Sequence, residues 1–344
     1  MNNDFARGLF LDMPNEHYHG LPVIGSTGLK KIKRSPYHFW FDSPLNPERE
    51  AKKPSIALRI GSAWHCAVFE PVRFDECYGV WPEGLDPDSR LGAAVLQLLE
   101  SPKAFYTVVP IPDGLSKRTK EGRQLLSELA AEGKTGMEES IYHSALEIAE
   151  PLLGKELLTA EQMRMVRRMA ASACALPESK VIFSQPDGMA EASIFVTDPL
   201  AGVPVKIRPD YAILPGNRLF HHGLIVDGKS MADASPDAFG RECWNWDMAL
   251  QAALYSDVWQ QHFRTSEPPA FVWLASEKDA PHCCKYYSAP PHLVAYGRVI
   301  YRQLLDTYAR CLGTGVWPAY AAGVSPAQLP AYAMKTIAET IGED

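Results

Sequence analysis

This chain lacks a long uninterrupted apolar run, and residues 1–7 contain no apolar core of the kind found in secretory signals. It also lacks an internal repeat and a CxxC pair, although it has seven cysteines, two of them adjacent at Cys283 and Cys284. We therefore expect no membrane span and no disulfide framework. The odd cysteine count is typical of reduced thiols in a cytoplasmic protein.

An excess of basic charge is also missing. The chain carries 34 Lys and Arg against 41 Asp and Glu, which gives a formal net charge of −7. That balance argues against a broadly basic nucleic-acid binder, so any contact with DNA must use a local basic surface on an acidic body. Hydrophobic residues make up 46% of the chain, which is enough for a sizeable core.

The length of 344 residues allows two domains or one large α/β domain. The composition predicts a loosely ordered lead-in at residues 1–20, one domain at 21–330, and a Pro-rich C-terminal tail at 313–344. Within the domain, residues from about 21 to 180 are mainly helical in character. A sheet with its helices follows at about 185–312.

Changes in hydrophobic period predict the elements of that second part. Three strands separated by turn signals should form an antiparallel meander, followed by one long helix, two more strands and a closing helix. The three strands are expected at 189–196, 203–214 and 219–226, and the later elements at 237–263, 271–277, 284–288 and 291–312. Earlier helices are expected at 26–34 and 56–70.

Acidic and basic residues collect near the ends of these strands. Glu191 lies on the first strand, Asp210 ends the second, and Asp227 and Lys229 end the third. Asp227 and Lys229 are two apart, so on a strand they point to the same face. Carboxylates beside a lysine can hold a divalent cation next to a cationic group. That combination suits phosphodiester hydrolysis, because a metal polarises the phosphate and acidifies a water.

Two predicted helices add further candidates. His65 lies among small and apolar residues, a setting in which a histidine is usually a satisfied core residue. Gln251 and Tyr255 are four apart on the helix after the lysine strand, so they share one face. That pair suits buried hydrogen-bonded packing as well as it suits a DNA contact.

The order Glu191, Asp210, Asp227 and Lys229 matches the PD-(D/E)xK nuclease pattern. Together with His65, Gln251 and Tyr255, it makes the chain resemble the phage and prophage exonuclease VIII family, the RecE-type members of the RecB-like branch. The resemblance covers most of the chain and rests on residues 26–30, 35–36, 61–71, 117–123, 206–210, 225–230, 234–239, 251–257 and 315–320.

The chain departs from that pattern at Gly228, where the family more often has a larger residue. The resemblance assigns this position a backbone carbonyl as its only contribution, so glycine leaves the pattern intact. A glycine can still loosen a strand and weaken metal binding. The connection between Asp210 and Asp227 also looks long.

The resemblance implies a PD-(D/E)xK nuclease core, in which a central mixed β-sheet with an antiparallel meander is flanked by helices. It implies a Mg²⁺-dependent exonuclease that degrades linear double-stranded DNA from the 5′ end and leaves 3′ single-stranded tails for recombination. It further implies a ring-shaped homo-oligomer in the bacterial host cytosol, working with a RecT-type single-strand annealing protein.

The resemblance also assigns roles to the candidate residues. Asp210, Asp227 and His65 would hold the metal with the Gly228 carbonyl, and Glu191 would complete the shell or hold a second metal through water. Lys229 would orient the attacking water and counter charge on the scissile phosphate. Oxygen ligands suit Mg²⁺, and the single imidazole also fits Mn²⁺.

Basic residues supply candidate DNA contacts. Lys30 and Arg34 belong to a basic run on a short helix, which is commonly a solvated face but can also line a duplex channel. Arg118 and Lys120 lie at a predicted helix start, a position that suits a terminal phosphate. Arg208, two residues before Asp210 on the same predicted strand face, is placed to touch the scissile strand.

Two other readings stay open. The chain could be an inactive or weakly active module of this fold that grips DNA ends or a recombination partner. It could also be an endonuclease or a single-strand nuclease of the same fold. The retained carboxylates argue against the first alternative, because clustered acidic groups are costly to keep without a use.

Overall fold

A computed structural model describes residues 7–50, 54–100, 103–115 and 118–341. The first part of the chain is mainly helical, with short strands between the helices. Its elements are β1 (Gly8–Phe10), α1 (Asn15–Gly20), α2 (Ser26–Arg34), α3 (Pro36–Asp42), α4 (Ile56–Phe69), α5 (Pro71–Cys77), β2 (Tyr78–Val80), α6 (Arg90–Leu99), α7 (Ala104–Thr107), β3 (Val108–Ile111), α8 (Lys120–Ala131), β4 (Thr135–Glu138), α9 (Glu139–Ala149), β5 (Glu156–Leu158), α10 (Ala160–Ala175) and α11 (Pro177–Phe183).

The second part supplies the main sheets and the longest helices. Its elements are β6 (Gly188–Ala190), β7 (Ser193–Thr197), β8 (Pro204–Ile207), β9 (Tyr211–Ile213), β10 (Leu224–Met231), α12 (Pro236–Asn245), α13 (Met248–Phe263), β11 (Ala270–Glu277), β12 (Cys284–Ser288), α14 (Pro291–Thr314) and α15 (Ala331–Ile341).

The larger sheet is mixed and has five strands in the order β12-β11-β10-β9-β6. Its central strands β10 and β11 run parallel, whereas the other neighbours are antiparallel. A smaller antiparallel sheet has the order β1-β7-β8. Two short parallel pairs, β2 with β5 and β3 with β4, lie in the helical part. The expected mixed α/β architecture is confirmed.

The antiparallel course of the predicted meander is present, but its first two strands are each divided between the two sheets. The chain leaves β6 of the larger sheet at Glu191 and enters β7 of the smaller one; it returns from β8 to β9 through residues 208–210. Glu191 adopts a left-handed φ of 50°, and Pro209 has no N–H to donate to a ladder. These two crossings lie side by side, since the Glu191 N–H donates to the Asp210 carbonyl at 3.1 Å.

The larger sheet is covered on both faces. Ile225 and Trp273 pack with the residues of α13 and α14, whereas Leu224, Val226 and Leu274 pack with α4 and α10. Alternate residues of β10 therefore face different helices. A separate core formed by α6, α7, α9 and β3 lies in the helical part.

The expected loosely ordered lead-in needs correction for residues 7–20, and residues 1–6 lie outside the described part. Strand β1 pairs with β7, and Tyr18 of α1 is buried. Phe10 and Tyr18 both contact the ring of Phe195 edge-on. Burial of these aromatic rings orders a segment that its polar composition does not predict.

The single helix expected at 237–263 is in fact two helices, α12 and α13. The break is at Asp247, which has a left-handed φ of 50° that Asp tolerates better than most residues. Its carboxylate pairs with Lys33 of α2 at 2.5 Å. In the predicted tail, α14 runs on to Thr314 and a further helix, α15, spans Ala331–Ile341. None of the described helices combines the length and apolarity needed to cross a bilayer.

Close packing of α13 on α14 depends on Gly297, where an added Cβ would lie 2.0 Å from the Ala249 carbonyl oxygen. We expect Gly297→Ala to lower the free energy of unfolding by at least about 2 kcal/mol, because backbone would have to move. Gly313→Ala in the same helix is the control, since its Cβ would meet open space. Urea denaturation measures both, and equal stability of the two variants would contradict the prediction.

Candidate metal centre

The centre forms where β9 stops and leaves one edge of β10 unpaired. Strand β9 pairs with β10 only as far as Tyr211 opposite Val226, whereas β10 continues beside β11 to Met231. Asp210 precedes β9, and its Oδ2 accepts a hydrogen bond from the Gly228 N–H at 2.6 Å. The carboxylate thus takes the place of the missing strand. Since the N–H and C=O of one strand residue point to the same edge, the Gly228 carbonyl is directed to this side as well.

Helix α4 brings His65 to the same carboxylate. His65 Nδ1 lies 3.2 Å from Asp210 Oδ1. The approach of α4 requires glycine at 228, because a Cβ there would lie 2.9 Å from ring atoms of both Trp64 and Phe69. The glycine that departs from the family pattern therefore makes room for the helix that carries the histidine.

Asp227 and Lys229 point to the opposite face of β10, toward α13. Lys229 Nζ forms an ion pair with Asp227 Oδ2. Gln251 of α13 donates from Nε2 to Asp227 Oδ1 at 2.6 Å and accepts from Lys229 Nζ at 3.4 Å. Asp227 and Gln251 are both buried. The amide of Gln251 thus holds Asp227 and Lys229 at a fixed distance from each other. These hydrogen bonds explain the position of Gln251 better than a direct contact with DNA.

Glu191 and Tyr255 border the same centre. Glu191 lines the cleft that contains Asp210 and Asp227, with its backbone held at the crossing between the sheets. Tyr255 is buried, and its hydroxyl donates to the Arg208 carbonyl at 3.3 Å. Tyr255 therefore stabilises the second crossing, next to Asp210.

Among the described residues, no three His, Cys, Asp or Glu side chains are arranged as a finished metal site. The donors are engaged with one another, in the pairs His65–Asp210 and Lys229–Asp227. The donor set nevertheless fits a hard divalent cation: Asp227 Oδ2 is buried and, beyond its ion pair, accepts no hydrogen bond within the described part of the chain. Carboxylate oxygens, one carbonyl and one imidazole suit Mg²⁺ or Mn²⁺.

Burial and the charges of neighbouring groups raise the pKa of some of these residues and lower the pKa of another. Burial raises the pKa of Glu191 to about 7, and the charge of Asp210 adds to the effect. Burial likewise raises the pKa of Asp227. For Asp210, burial is outweighed by His65 and the pKa is lowered; for His65, burial is outweighed by Asp210 and the pKa is raised. The centre thus combines the ion pair of His65 and Asp210 with two acids, Glu191 and Asp227, whose raised pKa disfavours the charged form.

The cleft around the centre has a volume of about 930 Å³. The sequence interpretation did not identify Glu70, which also lines this cleft and follows α4 by one residue. The sequence feature that could have identified Glu70 is its position five residues after His65, at the end of the same predicted helix. Ser230 and Met13 line the cleft too, but neither their residue types nor their positions in the sequence indicate this.

The predicted geometry of Arg208 needs correction. Strand β8 ends at Ile207, so Arg208 does not share a strand face with Asp210. Its guanidinium is buried and donates to Ser193 Oγ at 2.8 Å and to the Met13 carbonyl at 2.9 Å. It also stacks on the Tyr18 ring, 4.0 Å from the centroid. Arg208 therefore anchors the N-terminal segment while it lines the cleft, and its contact with the scissile strand stays a prediction.

The other basic candidates are widely separated. Lys30 is largely buried near Lys229 and Asp227, and burial, followed by the charge of Lys229, lowers its pKa to about 8. Arg34 is exposed and donates to the Tyr320 hydroxyl at 3.4 Å. Arg118 and Lys120 lie at the start of α8, which packs on β4, and neither lines the cleft. Lys117, next to them in the sequence, is outside the described residues. Only Lys30 of this set lies beside the centre.

Comparison with known proteins supports what this geometry suggests. Residues 25–327 match the family described as "PDDEXK-like domain of unknown function (DUF3799)". The chain belongs to this family. It therefore has a PD-(D/E)xK nuclease fold.

Other comparisons add less to this assignment. A crystal structure of a candidate exonuclease from Eubacterium rectale aligns over 89% of this chain and 88% of its own, at 14% identity and a TM-score of 0.48. That similarity is too distant to carry an argument. A comparison with curated protein sequences gives no significant match. The family is therefore shown at the level of the PD-(D/E)xK nucleases and not specifically as RecE-type.

Gln251 is a positioning residue whose role metal titration can isolate. We expect Gln251→Ala to weaken Mn²⁺ binding by about 10- to 100-fold, because Asp227 Oδ1 loses the donor that orients it. The control is Gln261→Ala on the same helix, whose exposed carboxamide donates to the Thr197 carbonyl. Calorimetric titration gives the affinity and thermal melting reports the fold. Equal Mn²⁺ affinity in both variants would contradict this role.

Metal binding should depend on pH. Glu191 has a pKa of about 7 and His65 a raised one, so near pH 6 both carry protons that they must lose to act as ligands. We expect Mn²⁺ affinity to rise from pH 6 to pH 8, by up to about tenfold per pH unit for each proton released. Titration calorimetry in buffers of different ionisation enthalpy counts those protons. Glu191→Gln should reduce the count, and a pH-independent affinity would exclude this account.

Proposed function

We propose that this protein is a Mg²⁺-dependent exodeoxyribonuclease that degrades linear double-stranded DNA from the 5′ end and leaves 3′ single-stranded tails. The observation that carries the proposal is the convergence of Asp210, Asp227, Lys229 and His65 around the free edge of β10. Membership of a PD-(D/E)xK nuclease family supports nuclease chemistry. The exonucleolytic mode and the polarity rest on the resemblance to the exonuclease VIII family.

The side chains have separate tasks in such a reaction. Asp210, Asp227, His65 and the Gly228 carbonyl would hold the cation, and Glu191 would add a further oxygen. When bound, a divalent cation polarises the scissile phosphate and lowers the pKa of a water. Lys229 supplies a fixed positive charge beside Asp227, where it can orient that water and stabilise charge on the phosphate. Gln251 keeps both groups aligned.

The same proposal includes the working context. The single imidazole among the oxygen ligands suggests Mn²⁺ as a substitute for Mg²⁺. The resemblance suggests double-stranded DNA ends as substrate, a ring-shaped homo-oligomer, and a RecT-type annealing protein as partner in the cytoplasm of a bacterial host. A ring would enclose the duplex and offset the weak attraction of DNA to a chain of net charge −7.

Digestion of end-labelled DNA tests the proposal directly. We expect the wild type with Mg²⁺ to release label from the 5′ end of a linear duplex, to leave closed circles intact, and to be inactive in EDTA. Lys229→Ala and Asp227→Ala should reduce the rate by about 10²-fold or more. Lys335→Ala on α15 is the control, because its side chain is exposed and pairs with Glu339 in the neighbouring turn.

The other outcomes identify the alternatives. Cleavage of the closed circle would indicate an endonuclease, and digestion of single strands alone would indicate a single-strand nuclease. Retention of DNA ends without any product over hours would favour a binding module. A wild type that neither cuts nor responds to Mg²⁺ would refute the proposed activity.

A further inference from the structure

Helix α3 carries aromatic side chains that are open to solvent. The ring of Tyr37 lies 5.9 Å from that of Trp40, with 27° between the two planes, and 6.2 Å from that of Phe41. Tyr37 is 43% exposed and Phe41 is 53% exposed. Phe39, in contrast, is buried and packs on Trp317. The helix is therefore held to the core by Phe39, and the other rings remain at the surface.

The segment that follows α14 extends this surface. The Tyr37 N–H donates to the Pro318 carbonyl at 3.0 Å, which holds the segment beside α3. Two residues further on, Tyr320 is 69% exposed, and its ring lies 5.7 Å from that of His38. The four exposed or half-exposed rings form what we call the aromatic patch: Tyr37, Trp40, Phe41 and Tyr320.

Arg34 adds a positive charge to the aromatic patch. Its Nε donates to the Tyr320 hydroxyl at 3.4 Å, and it forms no ion pair with any residue that the structure describes. Lys31 and Lys33, its neighbours on α2, are each paired with an aspartate. Basic residues in the last turn of a helix are ordinary, because they interact favourably with its dipole. An exposed guanidinium without an acidic partner, beside exposed rings, is less ordinary on a chain of net charge −7.

These groups indicate the kind of partner. Proteins hold single-stranded nucleic acid without sequence preference by stacking its bases on aromatic rings and by contacting its phosphates with cations. A duplex offers the phosphates but hides the base faces in its own stack, so it gains nothing from the rings. Tyr, Trp and Arg are also frequent in protein interfaces. The unpaired charge of Arg34 favours a polyanion over an apolar protein surface.

Helix α2 connects the aromatic patch to the candidate metal centre. Thr27, in its first turn, lines the cleft of the centre, whereas Arg34 is its last residue. Seven residue steps of α-helix correspond to about 10.5 Å along the axis. None of the four rings of the patch lines the cleft. The patch is therefore a separate surface at the far end of a helix that begins at the cleft.

We propose that the aromatic patch and Arg34 bind single-stranded DNA. The occupant is the 3′-ended strand that the reaction leaves undegraded, held outside the cleft while the other strand is cut. That choice of strand rests on the proposed function, whereas the affinity for single strands rests on the patch alone. Bases stack on the exposed rings, and the Arg34 guanidinium contacts a phosphate. Arg34 thus binds the single-stranded product and not the duplex.

Binding in EDTA, where no cleavage is expected, tests the aromatic patch. Fluorescence anisotropy compares a labelled oligothymidine of about 20 nucleotides with a blunt duplex of the same length. We expect Tyr37→Ala and Tyr320→Ala each to weaken binding of the single strand by about tenfold, because each removes a ring on which a base stacks. Binding of the duplex should stay within about twofold of the wild type, since its base faces are not available.

Salt dependence tests the role of Arg34. We expect Arg34→Ala to weaken binding of oligothymidine and to reduce the slope of log affinity against log salt concentration by about 0.7, the value for one lost phosphate contact with a single strand. Tyr37→Ala should leave that slope unchanged, because it removes no charge. An unchanged slope in Arg34→Ala would contradict the phosphate contact.

Tyr106→Ala is the matched control. Tyr106 belongs to α7 in the helical part of the chain, and its ring is 84% exposed. It should bind both DNAs like the wild type, and thermal melting checks that all variants are folded. Equal affinity of Tyr37→Ala and Tyr106→Ala for oligothymidine would overturn the inference. An equal loss on strand and duplex would also overturn it, as would an unchanged affinity with an altered oligomeric mass, which would indicate a protein interface.

Tailed duplexes identify the strand. We expect the wild type to bind a duplex with a 3′ single-stranded tail more tightly than one with a 5′ tail of equal length, and Tyr37→Ala to lose that preference. Equal binding of both tails would overturn the assignment to the 3′-ended strand. A wild type that binds oligothymidine through the aromatic patch but cuts no DNA with Mg²⁺ would refute the proposed nuclease activity and leave this surface in place.

Discussion

The hydrogen bond from the Gly228 N–H to the Asp210 carboxylate organises the candidate centre. A strand that ends next to a longer neighbour leaves backbone donors without partners, and a side-chain carboxylate satisfies one of them here. The same carboxylate fixes His65 of α4 through its other oxygen. One acid thereby joins β9, β10 and α4, and the positions of the other candidate ligands follow from that junction.

The burial of these acids shapes their chemistry. Asp227 is 3% exposed, and an ionised carboxylate at that depth needs compensation. Lys229 and Gln251 provide it at different oxygens of the carboxylate, the first by charge and the second by an amide hydrogen bond. Glu191 has less compensation and a pKa of about 7, so it ionises most easily when a cation is at hand. The acids would therefore ionise more readily with a cation bound among them than without one.

The acids, the lysine and the fold class could be predicted from the sequence, because Asp227 and Lys229 share a strand face by simple alternation and the helices and strands have clear hydrophobic periods. The division of two strands between two sheets could not. Its causes are a left-handed Glu191 and a proline at 209, and neither residue specifies which sheet the chain enters next. The strand face that Arg208 was expected to share with Asp210 was wrong for the same reason, since β8 ends at Ile207.

The sequence also could not predict that the N-terminal segment is ordered or that Gly228 makes room for α4. Tyr18 is buried because Phe195 and Arg208, far away in the chain, lie beside it. The meaning of Gly228 depends on Trp64 and Phe69, which a strand pattern does not display. Tertiary contacts of this kind decide what a local pattern leaves open.

The paired crossings at Glu191 and Asp210 place acids at the seam between the larger and the smaller sheet. A cation held by these acids would join the two sheets at that seam, in addition to the core that both share with α13. Cation binding and folding would then be thermodynamically linked, so the chain would resist unfolding most with the cation bound. Such an ion would therefore stabilise the fold as well as complete the centre.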